Sequence, residues 1–337
     1  MTYAPTLYTQ LTTLEQLRKE YTEGARKKLA NDKNTAPATL ALLTKDTDLL
    51  VSWAAAKNPS TPDAALIAYA EDNLKPPVFN YSIRVLSENK GLSQKVQSHL
   101  ANHSDRRLRE VFASNPYVDT KLLDSLALTP SMAQILAKNP KTSNQRLHDI
   151  YDMGVKEDAA FLRKTGLDTS NKNLVALDKK AGMSSTRSQL LYTLAMNTKL
   201  PIDLLLLLSS HWDIWIRQAI AEHSNTPENI QAILAKDKND EVRRHVAQNK
   251  KLASSVAFYF FENRKKEQWA IHSLLYNAAC PQDVLRHYAI NGSREERYTV
   301  AGNRNIPDDV LADFVKRRDV YWPWLTKNSK YRRLYLK

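Results

Sequence analysis

Residues 219–252 read AIAEHSNTPENIQAILAKDKNDEVRRHVAQNKKL, and the two ends of that stretch are variants of one phrase. Ala221 and His223 stand at one end and Ala247 and Asn249 at the other, each pair two positions apart. With the Asn of "A-x-N" as anchor, the phrase recurs at Asn31, Asn58, Asn89, Asn115, Asn139, Asn197, His223, Asn249, Asn277, Asn303 and Asn328. The steps cluster near about 26 residues, the signature of a repeat architecture. The step from Asn139 to Asn197 is about twice as long and contains a degenerate copy, FLRKTGLDTSNKNLVALDKK, with Thr165 at the anchor. About twelve copies are expected, covering nearly the whole chain.

Other columns keep the same register. Two residues before the anchor sits a small residue (Ala56, Ala113, Ala137, Ala195, Ala221, Ala247, Ala301), as close helix approach requires. Four residues after it sits Pro62, Pro201, Pro227, Pro281 or Pro307, which marks a helix start, with Thr61 or Thr226 just before as N-cap. Apolar pairs at helical spacing follow: Leu205 and Leu208, Leu123 and Leu126, Leu147 and Ile150, Leu311 and Phe314. An earlier helix opens at Asp48, Asp105, Asp213 or Asp240 and ends near the anchor. Each copy is therefore a helical hairpin. A lone hairpin cannot bury both apolar faces, so the copies are expected to stack into one right-handed α-solenoid, a superhelix with a continuous core.

Composition agrees with an all-α class. Hydrophobic residues make up 42% and charged residues 25% of the 337 residues, enough for a core, and only 7 are glycine. The expected layout is an N-terminal cap (1–25), N-terminal repeats (26–151), a degenerate repeat or hinge (152–187), C-terminal repeats (188–319) and a basic-aromatic C-terminal cap (320–337). Cys280 is the only cysteine, which excludes an intrachain disulfide framework and any multi-cysteine metal cluster and points to a reducing compartment. The longest apolar run, Leu204 to Leu208, is too short to cross a bilayer, and the first residues lack a secretory pattern. A cytoplasmic protein without a membrane partner is expected.

The phrase D-x-x-V-R-x-x-V-A-x-N-x-x-T-P-x-x-x-L-x-x-L-A, clearest over residues 213–249, resembles the leucine-rich repeat variant family and, more loosely, HEAT-like repeats. The family repeat is shorter than the one here, so some copies are expected to hold two full α-helices instead of one α-helix and a 3₁₀ turn. Family members with an iron–sulfur cluster carry an N-terminal cysteine group; this chain has none, and no cofactor is expected.

The formal net charge is +13, and the segment Lys316 to Lys337 holds eight basic residues against Asp319. Such a field favours anionic partners. Arginine recurs six residues before the anchor (Arg109, Arg217, Arg243, Arg297), with Arg26, Arg84 and Arg244 one place on. A guanidinium ladder of this kind would track phosphates. An intra-repeat ion pair with the helix-opening acid, as for Asp213 and Arg217 or Asp240 and Arg243, explains it equally well. The tail VYWPWLTKNSKYRRLYLK interleaves Tyr321, Trp322, Trp324, Tyr331 and Tyr335 with Lys327, Lys330, Arg332 and Arg333. It suits stacking beside phosphate contacts, or covering the open end of the core.

Trp212, Asp213, Trp215 and Trp269 form a second aromatic group. HEAT-like alkylpurine DNA glycosylases, which the architecture resembles, use tryptophans and an Asp to hold a cationic base. Trp212, Asp213 and Trp269 are the corresponding catalytic candidates, although Asp213 also fits an N-cap and Trp215 a core position. His99 and His103 lie four apart with no third ligand evident in the sequence around them, so capping or surface roles are expected and no metal. Cys280 reads as a small buried filler. The expectation is a non-enzymatic scaffold for an acidic partner, foremost DNA or RNA. The rivals are a protein–protein adaptor for an acidic peptide or subunit, and a DNA glycosylase.

Overall fold

The computed structural model describes residues 13–74, 80–165, 188–316 and 325–336. Among them are 22 α-helices and no strand. The chain divides into two compact units, residues 1–150 and 151–337. None of the helices described is long and apolar enough to cross a membrane.

Both units are successions of hairpins. The first helix of a hairpin is nine residues long in Leu49–Lys57, Arg106–Ser114, Ile214–Glu222, Asp240–Gln248, Gln268–Tyr276 and Arg294–Gly302. Asp48, Asp105 and Asp213 cap three of these by accepting an amide of the first turn. Asp240 does not: Asn239 is the cap and Asp240 is the first helical residue, adding its charge to the positive end of the helix. Second helices include Asp63–Asp72, Ile202–Ser209, Glu228–Leu234 and Gln282–Asn291.

Their prolines, Pro62, Pro201, Pro227 and Pro281, are themselves the N-cap residues and have no amide to leave unpaired. The threonines expected to cap these helices instead close the preceding one. Thr61 donates to the Ala55 carbonyl at 2.5 Å and Thr226 to the Ile220 carbonyl at 2.6 Å, satisfying a carbonyl orphaned at a helix end.

Consecutive first helices pack side by side, as 214–222, 240–248, 268–276 and 294–302 do within the second unit. Every alanine of the small-residue column is fully buried, as are Leu205, Leu208, Leu147, Ile150 and Leu311. The backbone carbonyls of this column have a specific role. Asn249 donates through Nδ2 to the carbonyls of Ala221 (2.7 Å) and His223 (3.2 Å) in the preceding hairpin. Its Oδ1 accepts the amide of Lys251, tightening its own turn. Asn58, Asn89, Asn139, Asn277, Asn303 and Asn328 repeat this pattern. The column also accepts a larger residue, since Asn303 reaches the Leu275 carbonyl at 2.7 Å.

This asparagine ladder corrects the register of the first copy. Asn58 donates to the carbonyls of Ala30 and Asp32, so Asp32, not Asn31, is the anchor. Asp32 accepts the Asn34 amide as the asparagines accept theirs. Asn31 turns outward and bonds Lys27 of its own helix. Thr165 is also not in the ladder. Residues Asn144–Thr165 form one helix of 22 residues, and the Thr165 hydroxyl donates back to Phe161 at its end. A Cβ added at Gly154 within this helix would meet Leu191 at 2.5 Å, so glycine is what admits that close approach. Residues 166–187, which hold the rest of the expected degenerate repeat, lie outside the described residues.

Candidate nucleic-acid interface

The arginine column is built into the fold. Arg217 is 4% exposed; its Nη1 donates to the carbonyls of His211 and Trp212 just before its own helix, and Nε meets Asp237 of the next hairpin at 2.8 Å. Arg243 donates to the Asp237 carbonyl and pairs with Glu267 at 2.8 Å, and Arg26 donates to the Tyr21 carbonyl and pairs with Asp46 at 2.8 Å. Arg109 bonds the carbonyls of His103 and Ser104, and Arg297 that of Gly292. The guanidinium fork thus gathers the loop entering its helix. Where it forms an ion pair, the acid belongs to the following hairpin and not to the helix-opening Asp. Arg244, one place on, bonds Glu241 within its helix at 2.6 Å and is half-buried.

Other cations occupy a rigid and open position. The turn after each anchor is braced by the bond from the residue two places on to the anchor oxygen. These turns carry Lys33, Lys90 and Lys141 in the first unit, and Lys199, Lys250, Lys251 and Arg304 in the second, all exposed. Basic turns alternate with neutral ones, which hold Ser60 and Tyr117, then Asn225 and Ala279. Lys90 lies over the Tyr117 ring at 5.6 Å. Among the described residues, Lys33, Lys141, Lys199, Lys250, Lys251 and Arg304 have no acidic partner. Packed helices stand about 8–10 Å apart, so alternate turns place positive charge about every 16–20 Å along one edge of a unit. The sequence signal was present as Lys or Arg one or two residues past the anchor.

The C-terminal candidates divide. Tyr331 is buried and stacks on Tyr335 with centroids 5.4 Å apart. Lys330 donates to the Ile306 carbonyl at 2.7 Å and pairs with Asp308. Lys327, Arg332 and Arg333 are exposed, with Arg332 reaching the Lys327 carbonyl. Tyr321, Trp322 and Trp324 lie outside the described residues.

Trp212, Asp213 and Trp269 are spread over hairpins two repeats apart. The Trp212 indole donates to Asp158 at 3.0 Å and stacks on Phe161, while buried Asp213 caps its helix through the Trp215 amide. Trp269 is 69% exposed, on a first-helix ridge with His272 and Tyr276. With Glu241, Arg244 and Gln248 of the neighbouring first helix these residues line a cleft of about 500 Å³. Cys280 is fully buried, and burial pushes its thiol up to about 12, so no thiolate is available for chemistry at neutral pH.

His103 places Nε2 3.2 Å from Glu71 while its Nδ1 accepts the Asp105 amide at 2.9 Å. His211, in the same place in its hairpin, does likewise: Nδ1 accepts the Asp213 amide and Nε2 meets Asp158 at 2.8 Å. Sequence reasoning missed both acids because they belong to the preceding part of the stack, 32 and 53 residues upstream. Compared with protein-family models, with curated proteins and with solved structures, the chain has no match.

Proposed function

We propose that the chain is a non-enzymatic scaffold that binds nucleic acid through the basic turns of its asparagine ladder. Within each unit the hairpins would stack as an α-solenoid of the leucine-rich repeat variant kind. The carrying observation is the row of exposed cations without acidic partners at Lys33, Lys90 and Lys141, and at Lys199, Lys250, Lys251 and Arg304. Bracing by the anchor side chain fixes the backbone that carries each cation, so little ordering is needed on contact. Separately spaced lysines contact phosphates and supply affinity without reading base identity. Lys327, Arg332 and Arg333 extend the positive charge of the second unit. The arginine column contributes only to the background field, since its donors are engaged within the fold.

The test is fluorescence anisotropy of short labelled DNA and RNA, single- and double-stranded, across a salt series. The variant combines Lys199→Ala, Lys250→Ala, Lys251→Ala and Arg304→Ala. Each lost phosphate contact removes about 0.7–0.9 from the slope of log K against log salt, so a drop of about three is expected. Binding that keeps its slope in this variant, or no binding by the unaltered protein, overturns the reading. A protein–protein adaptor is the second reading, supported by the exposed ridge of Trp269, His272 and Tyr276 along its cleft. It predicts a partner lost on Trp269→Ala with the lysine variant unaffected.

A further inference from the structure

We propose that Glu71, His99 and His103 form a binding site for a divalent transition cation of the zinc class. Glu71 lies near the end of helix Asp63–Asp72, His99 lies in helix Gln94–Asn102, and His103 is the residue that closes that second helix. His99 and His103 are one helical turn apart and face the same way, with ring centroids 5.4 Å apart. Glu71 Oε1 is 2.8 Å from Nε2 of His99 and 3.2 Å from Nε2 of His103, and the three ligand atoms lie within 4.8 Å of one another. A zinc-type ion with bonds of about 2.1 Å sets neighbouring ligand atoms about 3.4 Å apart. Glu71 therefore needs to draw back by about 0.6 Å from His99 and about 0.2 Å from His103, and the two imidazole nitrogens, which lie within 4.8 Å, need to close towards the same spacing. Two imidazoles and one carboxylate suit zinc, cobalt or nickel, whereas magnesium and calcium prefer all-oxygen sites. All three side chains keep some contact with solvent, which leaves coordination positions for water.

The second unit supplies an internal control. Asp158, the carboxylate that His211 meets, also receives the Ser188 hydroxyl at 2.6 Å and the Trp212 indole at 3.0 Å. One histidine is thus enough for the tie between hairpins, and there the carboxylate is saturated by fixed donors. Glu71 receives a second imidazole instead, from His99, which the tie does not require. Arg107, nearby in sequence, is held by Asp105 and the Leu74 carbonyl, and among the described residues Glu71 has no lysine or arginine partner.

Loading exchanges protons for the ion. The His103 proton sits on Nε2 because Nδ1 accepts the Asp105 amide, so metal binding at Nε2 requires the ring to turn or that amide to let go. Affinity is accordingly weaker than for a site whose second nitrogen already donates, and it falls as acid protonates the imidazoles.

The experiment titrates the chelator-treated full chain with Co²⁺, followed by its visible absorption, and then with Zn²⁺ by calorimetry and thermal melting. One equivalent is expected, with a rise in melting temperature on Zn²⁺. His99→Ala and Glu71→Gln should each weaken binding at least about tenfold and abolish the rise, while melting without metal shows that the variants are folded. His103→Asn, whose Oδ1 takes the place of Nδ1 for the Asp105 amide, serves if His99→Ala melts early. No saturable binding, or binding that persists unchanged in the Glu71→Gln and His99→Ala variants, overturns the site and leaves the cluster as a hydrogen-bonded tie.

Discussion

Four of the loops entering a first helix are held in two versions. In one, an acid stands twelve residues before the anchor: Asp46 and Asp237 each accept the amide two residues on and receive the arginine of the hairpin before. In the other, His103 and His211 accept the same amide and turn Nε2 towards an acid from earlier in the chain, Glu71 or Asp158. The position therefore demands an acceptor for one backbone amide and an electrostatic tie backwards, and either sign of that tie serves. Only a side chain with an acceptor one bond from its branch point meets the first demand, which both Asp and His do.

The difference between the versions can be broken most severely at the arginine. Arg217→Ala leaves Asp237, whose side chain is only 11% exposed, without its counter-ion and strips two loop carbonyls of their donor. Removing one partner of such a buried pair costs about 3–5 kcal/mol, so urea denaturation should show a loss in that range. A loss under about 1 kcal/mol would mean the pair is solvated in solution. Next comes Asn249→Ala, which strikes the ladder both versions share. Two buried carbonyls and an amide lose partners, at about 1–3 kcal/mol for each group left unsatisfied and with partial relief from water. About 3 kcal/mol is expected in the same denaturation.

The reverse change sharpens the point with a smaller effect. His223 makes one backward bond, to the Asn197 carbonyl at 2.7 Å, where the asparagines make two. His223→Asn should raise stability by about 1 kcal/mol, read as a shift of the urea midpoint with an unchanged slope.

The smallest effect is a pH dependence beside His103. The Arg107 guanidinium, by hydrogen bond and charge, holds the Asp105 carboxyl below its ordinary range despite the opposing effect of burial. A depressed folded value means the contribution is present at neutral pH and disappears as pH falls through it, below about pH 4. Asp105→Asn keeps a side-chain oxygen for the helix cap but lacks the charge. Its melting temperature should lie slightly below that of the unaltered protein at pH 7 and coincide with it near pH 2. A gap that persists in acid would assign the effect to the cap alone.

How much of this was legible depends on where each residue finds its partner. The anchor column, the buried alanines and the caps Asp48, Asp105 and Asp213 were readable because each acts on its own helix or recurs with the repeat. The first anchor was misread by one position because Asn31 matches the residue type, while Asp32 holds the place from which the next asparagine takes its carbonyls. Thr61 and Thr226 looked like caps for the helix ahead and close the helix behind, since a hydroxyl can reach either end from that turn. The acids facing Arg217 and His211 come from 20 and 53 residues away, beyond any helical spacing rule. The same is true of Glu71, without which His99 and His103 are only two histidines one turn apart.

The sequence by itself determined the helical class, the repeat and the buried columns, because helix periodicity and capping are set by residues within one or two turns of each other. Only the tertiary structure decided which cations are held inside and which face solvent. Arg217 and Lys251 carry the same charge at equally regular places, but the stack brings Asp237 and two loop carbonyls to the arginine and water to the lysine. A buried charge must be paired, an exposed one need not be, and burial is a property of neighbours that the chain acquires only when its hairpins meet.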